Sequence, residues 1–388
     1  MFLRKLKLVN FRNYSDFDER FNHLKVIILG QNAQGKSNIL EAINILATSE
    51  SNRAERDSDF VLWDNEYSII FADIETKDSP LEIALQINLS GRRKLKINGV
   101  GKKAPQADLL GNFFAVMFSC EDLYLIKGSP STRRKWLDST LYQLDKKYHK
   151  TLNEYQKTIT QKNALLKKAY EDSIPQKKLK EQLEIWNEQI INSGSEIIFM
   201  RLNFIEEIKP IAKKFQYDIS NRTEVLDVIY KSSIYKEPEA GSKEVKVQKT
   251  LEELKIQFKN ALECSFEDEH RRGQALIGPH RDDLTFLINE KEARSFGSQG
   301  QQRSIILALK LSELKIIELR KNEIPVLLLD DVFAELDEKR QDFLLHNLPE
   351  NIQIFLTTTH LSDIQKEFLK GAEIFEVEKG RVLKKAAC

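Results

Sequence analysis

Val26-Ile27-Ile28-Leu29-Gly30-Gln31-Asn32-Ala33-Gln34-Gly35-Lys36-Ser37 decides the fold. Four apolar residues read as a buried strand, Gly30 to Ser37 follow the G-x-x-x-x-G-K-S pattern, and Ile39, Leu40, Ala42, Ile43 and Leu46 continue at helical spacing. Strand, glycine-rich loop and helix, in that order, make a phosphate-binding loop. Its glycines let backbone N–H groups close around a β-phosphate, the start of the helix adds partial positive charge, and Lys36 reaches the β and γ oxygens. Ser37 offers a hydroxyl to Mg²⁺. Gly30, Gln31, Asn32, Ala33, Gln34, Gly35, Lys36 and Ser37 are therefore the expected binding residues for a nucleoside triphosphate.

The partner of this loop lies nearly three hundred residues downstream. Val326-Leu327-Leu328-Leu329 is a continuously apolar run, as a buried parallel strand requires, and it ends in Asp330-Asp331. Asp330 is placed to meet the metal, and Asp331 to polarise a water in line with the γ-phosphate. An acidic pair in isolation could be a helix cap, but a phosphate loop in the same chain favours catalysis.

Ser298-Gln299-Gly300-Gln301-Gln302-Arg303 precedes a strongly helical run through Ile305, Ile306, Leu309, Leu311, Leu314 and Ile317. This start has two readings: an ordinary capped helix, or a second anion site in which Ser298, Gly300 and Gln301 close on phosphate. One γ-phosphate has no use for two such helix ends from one chain, so the second reading points to nucleotide held by another subunit.

The 388 residues are enough for two domains, and 60 Lys+Arg against 59 Asp+Glu leave no global basic charge to bind nucleic acid. Any such surface must arise by local segregation. Cys120, Cys264 and Cys388 have no metal-ligand spacing and fit a reducing, cytoplasmic setting. The first residues carry no signal-peptide pattern, and no apolar run approaches the roughly 20 residues of a membrane span.

Residues 1–130 and 272–388 have α/β character, with alternating strands expected at Phe2–Val9, Tyr67–Ile74, Leu81–Leu89 and Arg93–Ile97. Residues 131–271 differ. Leu137, Leu141, Leu144, Tyr148, Leu152, Tyr155 and Ile159 form one helical stripe, and Leu179, Leu183, Trp186, Ile190, Ile197, Phe204 and Ile208 a second, separated near Ser173-Ile174-Pro175. An antiparallel helical hairpin is expected, then a strand at Val225–Tyr230, a polar loop at Glu237–Lys246 and a helix at Val247–Cys264. Lys146, Lys147, Lys150, Lys157, Lys162, Lys167 and Lys168 make one basic helix face, which is either solvated or turned to DNA.

Several segments together resemble SMC-like ABC-type ATPases, and within them the RecF family of bacterial recombination mediators. They are NFRNY (10–14), NAQGKS (32–37), NILEAI (38–43), EDLYLIKGSPSTRRKWLD (121–138), IGPHRDDL (277–284), SQGQQR (298–303) and LLLDDVFAELD (327–337). Ser298–Gln301 is similar to the ABC signature, and Thr357-Thr358-Thr359-His360 to the switch-histidine segment. Cys120 stands where the family commonly has proline, and Asn52-Arg53 where a His-Arg pair is common.

The resemblance implies an α/β fold: an ABC-type P-loop ATPase head, SMC-like, with an inserted mainly helical lobe. It implies a weak ATPase using ATP and Mg²⁺, with Ser37 and Asp330 as metal ligands and Lys36, Asp331 and His360 as catalytic groups. It further implies an ATP-dependent homodimer that clamps DNA, double-stranded and at gapped or single-stranded junctions, and acts with RecR and RecO to help load RecA at single-stranded gaps. Arg92, Arg93, Lys94 and Lys96, or the helical lysines, are the candidate DNA contacts. A structural SMC protein would need far longer arms than helices of about 50 Å. A transporter ATPase would have a shorter interval between loop and signature. A scaffold using bound ATP structurally would not need a complete acidic pair.

Overall fold

The computed structural model describes residues 1–51, 53–54, 56–172, 174–235 and 250–385. The polar loop expected at Glu237–Lys246 lies outside the described residues, as do Asn52, Ser173 and Cys388.

In chain order the elements are β1 (Phe2–Phe11), β2 (Tyr14–Arg20), β3 (Lys25–Leu29), α1 (Lys36–Thr48), β4 (Tyr67–Glu75), β5 (Pro80–Asn88), β6 (Arg93–Ile97), β7 (Val100–Lys102), α2 (Pro105–Leu109) and β8 (Ala115–Ser119). Next come α3 (Tyr124–Lys127), α4 (Pro130–Leu144), α5 (Lys146–Glu171), α6 (Gln176–Ile219), β9 (Leu226–Lys231) and α7 (Leu251–Arg272). The chain closes with β10 (Asp283–Ile288), β11 (Lys291–Glu292), α8 (Ala293–Phe296), α9 (Gln299–Lys321), β12 (Val326–Asp330), α10 (Glu338–His346), β13 (Ile354–Thr358), α11 (Lys366–Leu369), β14 (Ala372–Glu378) and β15 (Arg381–Lys385).

Two six-stranded sheets organise the head. One is antiparallel in the order β2-β1-β4-β5-β6-β7, and its inward residues, such as Leu6, Leu8, Ile70, Ala72, Ile83 and Leu85, are fully buried. Alternation of apolar and polar residues in this sheet follows from one face being covered. The other runs β15-β14-β3-β13-β12-β8, with β3, β8, β12, β13 and β14 parallel. Its central strands are apolar on both faces because helices and the first sheet cover both. The two sheets close on α1, whose residues Ile39 to Thr48 are all buried.

The first helical stripe breaks where the sequence reads as continuous. Asp145 leaves the helical region at φ −149° and accepts a bond from Lys147 N, ending α4 and capping α5. The stripe survives because Leu141, Leu144, Tyr148 and Leu152 all face the same core. After residues 172–175, α6 returns alongside α5 and runs for 44 residues. β9 pairs antiparallel with β10, so this small sheet joins residues on either side of position 271.

Charge buried at the base of the lobe ties it to the head. Arg201 on α6 donates to Asp138 Oδ1 (2.7 Å), Tyr148 Oη (2.8 Å) and the Pro279 carbonyl (2.8 Å), and Arg133 on α4 donates to both Asp283 carboxylate oxygens at 2.6 and 2.9 Å. His280 pairs with Tyr155 Oη at 2.6 Å, and burial lowers its pKa to about 4. The expected lysine face is partly consumed by such contacts. Lys162 is buried against Glu269 (2.7 Å), while Lys147 pairs with Glu196, Lys150 with Glu154 and Lys167 with Glu171.

Candidate nucleotide site

Parallel strands gather the functional residues at their C-terminal ends, where open α/β sheets place ligands. β13 lies between β3, which delivers the loop 30–37, and β12, which delivers Asp330. Register sets Asp330 opposite Thr357 on one side and Ser119 on the other.

The loop is shaped by close packing. A Cβ at Gly30 would meet the Val377 carbonyl oxygen at 2.5 Å, and one at Gly35, already at φ +106°, would meet Asn13 at 2.5 Å. Only glycine fits either place. Asn13 Nδ2 donates to the Gln34 carbonyl at 3.0 Å, and Asn38 Nδ2 donates to Asn13 Oδ1 at 2.8 Å. Gln34 Oε1 in turn accepts from Lys379 N at 2.6 Å. Gln31, Asn32 and Ala33 are exposed, with Ala33 in the left-handed region at φ +64°.

Lys36 is 4% exposed, and its Nζ donates to the carbonyls of Gly30 (2.8 Å) and Gln31 (3.3 Å). An ammonium folded back on its own loop is held where phosphate oxygens can take it over. Ser37 Oγ donates to Asp330 Oδ1 at 2.8 Å. This hydroxyl–carboxylate pair at the helix start is a hard oxygen donor set and fits Mg²⁺, which takes one or two protein oxygens and keeps several waters. Among the described residues, no cluster of three or more His, Cys, Asp or Glu side chains forms a separate metal site.

Asp331 adopts φ +53° and its carboxyl titrates above the usual range. Burial is the main cause; Asp330 and Asp363 add to it, and Lys36 opposes it. Its backbone N–H donates to Thr357 Oγ1 at 2.9 Å. His360 is exposed, and its Nδ1 lies 2.9 Å from Thr359 Oγ1. Cys120 Sγ sits 3.8 Å from the Asp330 carbonyl, and burial pushes its thiol up to about 12, so it is a protonated thiol and not a nucleophile.

The Ser298 helix start stands apart. Ser298 caps α9 by accepting from Gln301 N at 3.2 Å, and Gln301 Oε1 accepts from Ser298 N at 2.9 Å, a complete capping box. Gln301 Nε2 reaches Glu224 Oε1 at 2.9 Å, and the Gly300 carbonyl accepts from Arg340 at 2.9 Å. Among the described residues, no hydrogen bond joins Ser298, Gly300 or Gln301 to the loop 30–37.

Folding brings several further residues together beside the loop, of which Asp59 and Trp63 carry no signal in the linear sequence. Arg12, Asn13, Asn38, Arg53, Asp59 and Trp63 line a cavity of about 420 Å³ beside the loop. Trp63 is 90% exposed there. Arg12 is fixed by two bonds to Glu41, at 2.8 and 2.6 Å. The signals in the sequence were NFRNY, whose Asn13 touches the loop, NILEAI, which begins with Asn38, and Arg53.

Among the basic residues, Arg92, Lys94 and Lys96 are exposed. Arg93 is not free: it grips Asp57 with two bonds of 2.7 Å and the Ser49 carbonyl at 2.8 Å. Alternation along β6 turns Arg93 to the opposite face from Lys94 and Lys96.

Comparison with known proteins agrees with this geometry. The family described as RecF/RecN/SMC N terminal domain matches residues 2–382. A DNA replication and repair protein RecF of Acaryochloris marina is 40% identical over 382 residues, covering 98% of this chain and 99% of that protein. The corresponding protein of Gloeobacter violaceus is also 40% identical over 382 residues, with 98% of each covered. The solved structure of the recombination mediator protein RecF-ATP in the RecFOR pathway superposes with a TM-score of 0.88 at 37% identity, covering 99% of this chain and 97% of that one. An Smc head bound to the C-winged helix domain of ScpA, 15% identical with a TM-score of 0.53 over 100% of this chain and 98% of that chain, shares the fold. A phosphate loop, an acidic pair and a signature-like helix start, on an ABC-type head matched by full-length relatives, establish that the chain belongs to the RecF family of SMC-like ATPases.

Proposed function

We propose that this protein is an ATP-dependent DNA-binding clamp, a weak ATPase that dimerises on ATP in the cytoplasm and acts with RecR and RecO to help place RecA at single-stranded gaps. In this reading residues 1–130 and 272–388 are the ATPase head and 131–271 the helical lobe. The observation that carries it is the division of one nucleotide site into two unconnected halves. Loop 30–37 and the acidic pair stand together, whereas the Ser298 start is held on Glu224 and Arg340. A second copy closes the gap: Ser298, Gly300 and Gln301 of one subunit would cap the γ-phosphate held by Gly30–Ser37 of the other.

Each residue has a defined task. Gly30–Gly35 wrap the phosphates with backbone N–H groups, and Lys36 leaves its two carbonyls to bind β and γ oxygens. Ser37 and Asp330 would hold Mg²⁺, which supplies charge neutralisation between the β- and γ-phosphates. Asp331 orients and polarises the attacking water, and its raised pKa suits proton acceptance. His360 lies at the end of β13 as a γ-phosphate sensor. The cavity lined by Arg12, Asn13, Arg53 and Trp63 takes the nucleoside end of ATP.

DNA is assigned to Arg92, Lys94 and Lys96 of the antiparallel sheet. Several of the α5 lysines already have carboxylate partners, while these three side chains stand exposed on β6 and the turn that leads into it. Such contacts neutralise phosphates and carry no base preference. The test is the solution mass of Asp331→Asn by light scattering. A dimer with Mg-ATP and a monomer with Mg-ADP is expected; a monomer in both would overturn the clamp.

A further inference from the structure

One buried hydroxyl joins the two acids of the site. Thr357, 1% exposed on β13, accepts the backbone N–H of Asp331 at 2.9 Å and donates to Asp330 Oδ1 at 2.7 Å. The proton positions here follow from chemistry. An amide can only donate, so the hydroxyl must accept from Asp331, and its single proton is then left for the carboxylate. A single atom fills both roles here, as the hydroxyl of threonine or serine can.

The arrangement matters because both acids are held in unusual states. Asp331 occupies the left-handed region at φ +53°, which a non-glycine residue enters at a cost, so something must hold it there. Asp330 Oδ1 accepts two hydroxyls, from Ser37 at 2.8 Å and from Thr357 at 2.7 Å. Should Ser37 turn to a metal, Thr357 remains as the anchor of that carboxylate. Parallel register supplies the geometry: Asp330 and Thr357 are directly paired, so the turn after β12 begins over the Thr357 side chain.

We propose that Thr357 is a positioning residue for ATP hydrolysis, its hydroxyl locking the left-handed turn that aims the Asp331 carboxylate while steadying Asp330 beside Ser37. This inference rests on the hydrolytic role given to Asp331 above. Binding of ATP is carried mainly by the loop 30–37 and by Ser37, and it does not need the Asp331 turn. The effect of losing the hydroxyl therefore falls on turnover and not on affinity.

The experiment compares Thr357→Val, Thr357→Ala and Thr357→Ser with wild type in the full chain, measuring Mg-ATP affinity, single-turnover hydrolysis and mass with Mg-ATP. Valine keeps the branched shape, alanine gives a second hydroxyl-free variant should valine fold poorly, and serine keeps the hydroxyl. For Val and Ala we expect ATP affinity within about threefold of wild type, an ATP-stabilised dimer, and hydrolysis slowed on the order of 10- to 100-fold, as a misplaced reacting group produces. Serine restores hydrolysis to within about threefold. Equal turnover in wild type and the hydroxyl-free variants, or an equal fall in Val and Ser, would overturn the role of Thr357 alone. A wild type with no turnover in its Mg-ATP dimer would overturn the hydrolytic reading together with it.

Discussion

Ser37 and Asp330, 293 residues apart in the chain, share a hydrogen bond of 2.8 Å. The intervening residues build β4 to β7 of the antiparallel sheet, the helical lobe and α9, so the pair proposed to hold the metal forms only when the head is closed around its insertion. Lys36, next to Ser37, is the group whose removal tests this centre most directly. Lys36→Ala should lose ATP binding by at least about tenfold, and with it ATP-stimulated dimerisation and DNA retention. Filter binding with and without Mg-ATP checks it, and DNA binding that still responds to ATP in this variant would contradict the clamp.

Ser298→Arg addresses the other half. The substitution puts a bulky cation at a helix start whose capping box is local. ATP affinity should stay within about threefold, while the Mg-ATP dimer disappears from light scattering. Loss of ATP binding by the monomer would instead place Ser298 in its own subunit's site.

Arg92, Lys94 and Lys96 should set the salt dependence of DNA binding. Replacing all three with alanine is expected to reduce the slope of log affinity against log salt by roughly 0.9 per lost contact on duplex DNA, about 2.7 in total. Lys150→Ala with Lys167→Ala should leave the slope unchanged, since both already face glutamates. The reverse pattern would move the DNA surface to the lobe.

The charge cluster at the base of the lobe should dominate stability. Arg201→Met leaves Asp138 partly buried without its partner, a change worth about 3–5 kcal/mol when one member of a buried pair is removed. Urea denaturation reads this out. A loss below about 1 kcal/mol would show that Tyr148 and water replace the guanidinium.

His280 gives the protein an acid-sensitive joint. Its folded pKa is about 4 against an ordinary value of 6.5, because burial opposes the charged form. Between those values the unfolded chain binds a proton that the folded chain refuses, so stability falls as pH drops through the window and is fully present above about 6.5. From pH 7 to pH 5 this one group costs on the order of 2 kcal/mol. His280→Gln should flatten the fall in melting temperature over that interval; an unchanged fall would assign it to other groups.

The phosphate loop, the acidic pair and the alternating strands were legible in the sequence because each depends on neighbours within a few residues. Gly35 is required by the loop's own left-handed turn at φ +106°, and the alternation of β4 and β5 by a covered face, whereas the need for glycine at Gly30 comes from the distant Val377 carbonyl. Thr357 and Asn13 stand in segments the sequence singles out, but their contacts were not legible, since a threonine in an apolar strand and an asparagine in a turn acquire those contacts only through Asp331 and Gln34. The same limit applies to charge. Lys162 and Arg93 look like any surface base until folding brings Glu269 and Asp57 against them. The break at Asp145 was hidden because successive helices present their apolar residues to one core, so periodicity ran on across the cap.

Glu224 accepts from Gln301 at the α9 start and from Gln216 near the end of α6, at 2.9 and 2.7 Å. With 44 residues, α6 has a contour of about 66 Å at about 1.5 Å per residue. From Gln216 back to Gln176 the helix runs about 60 Å, so one carboxylate joins the start of α9 to a long arm packed along α5. In the proposed clamp, Glu224 would therefore link the longest helix of the lobe to the Gln301 end of α9 without touching the loop 30–37.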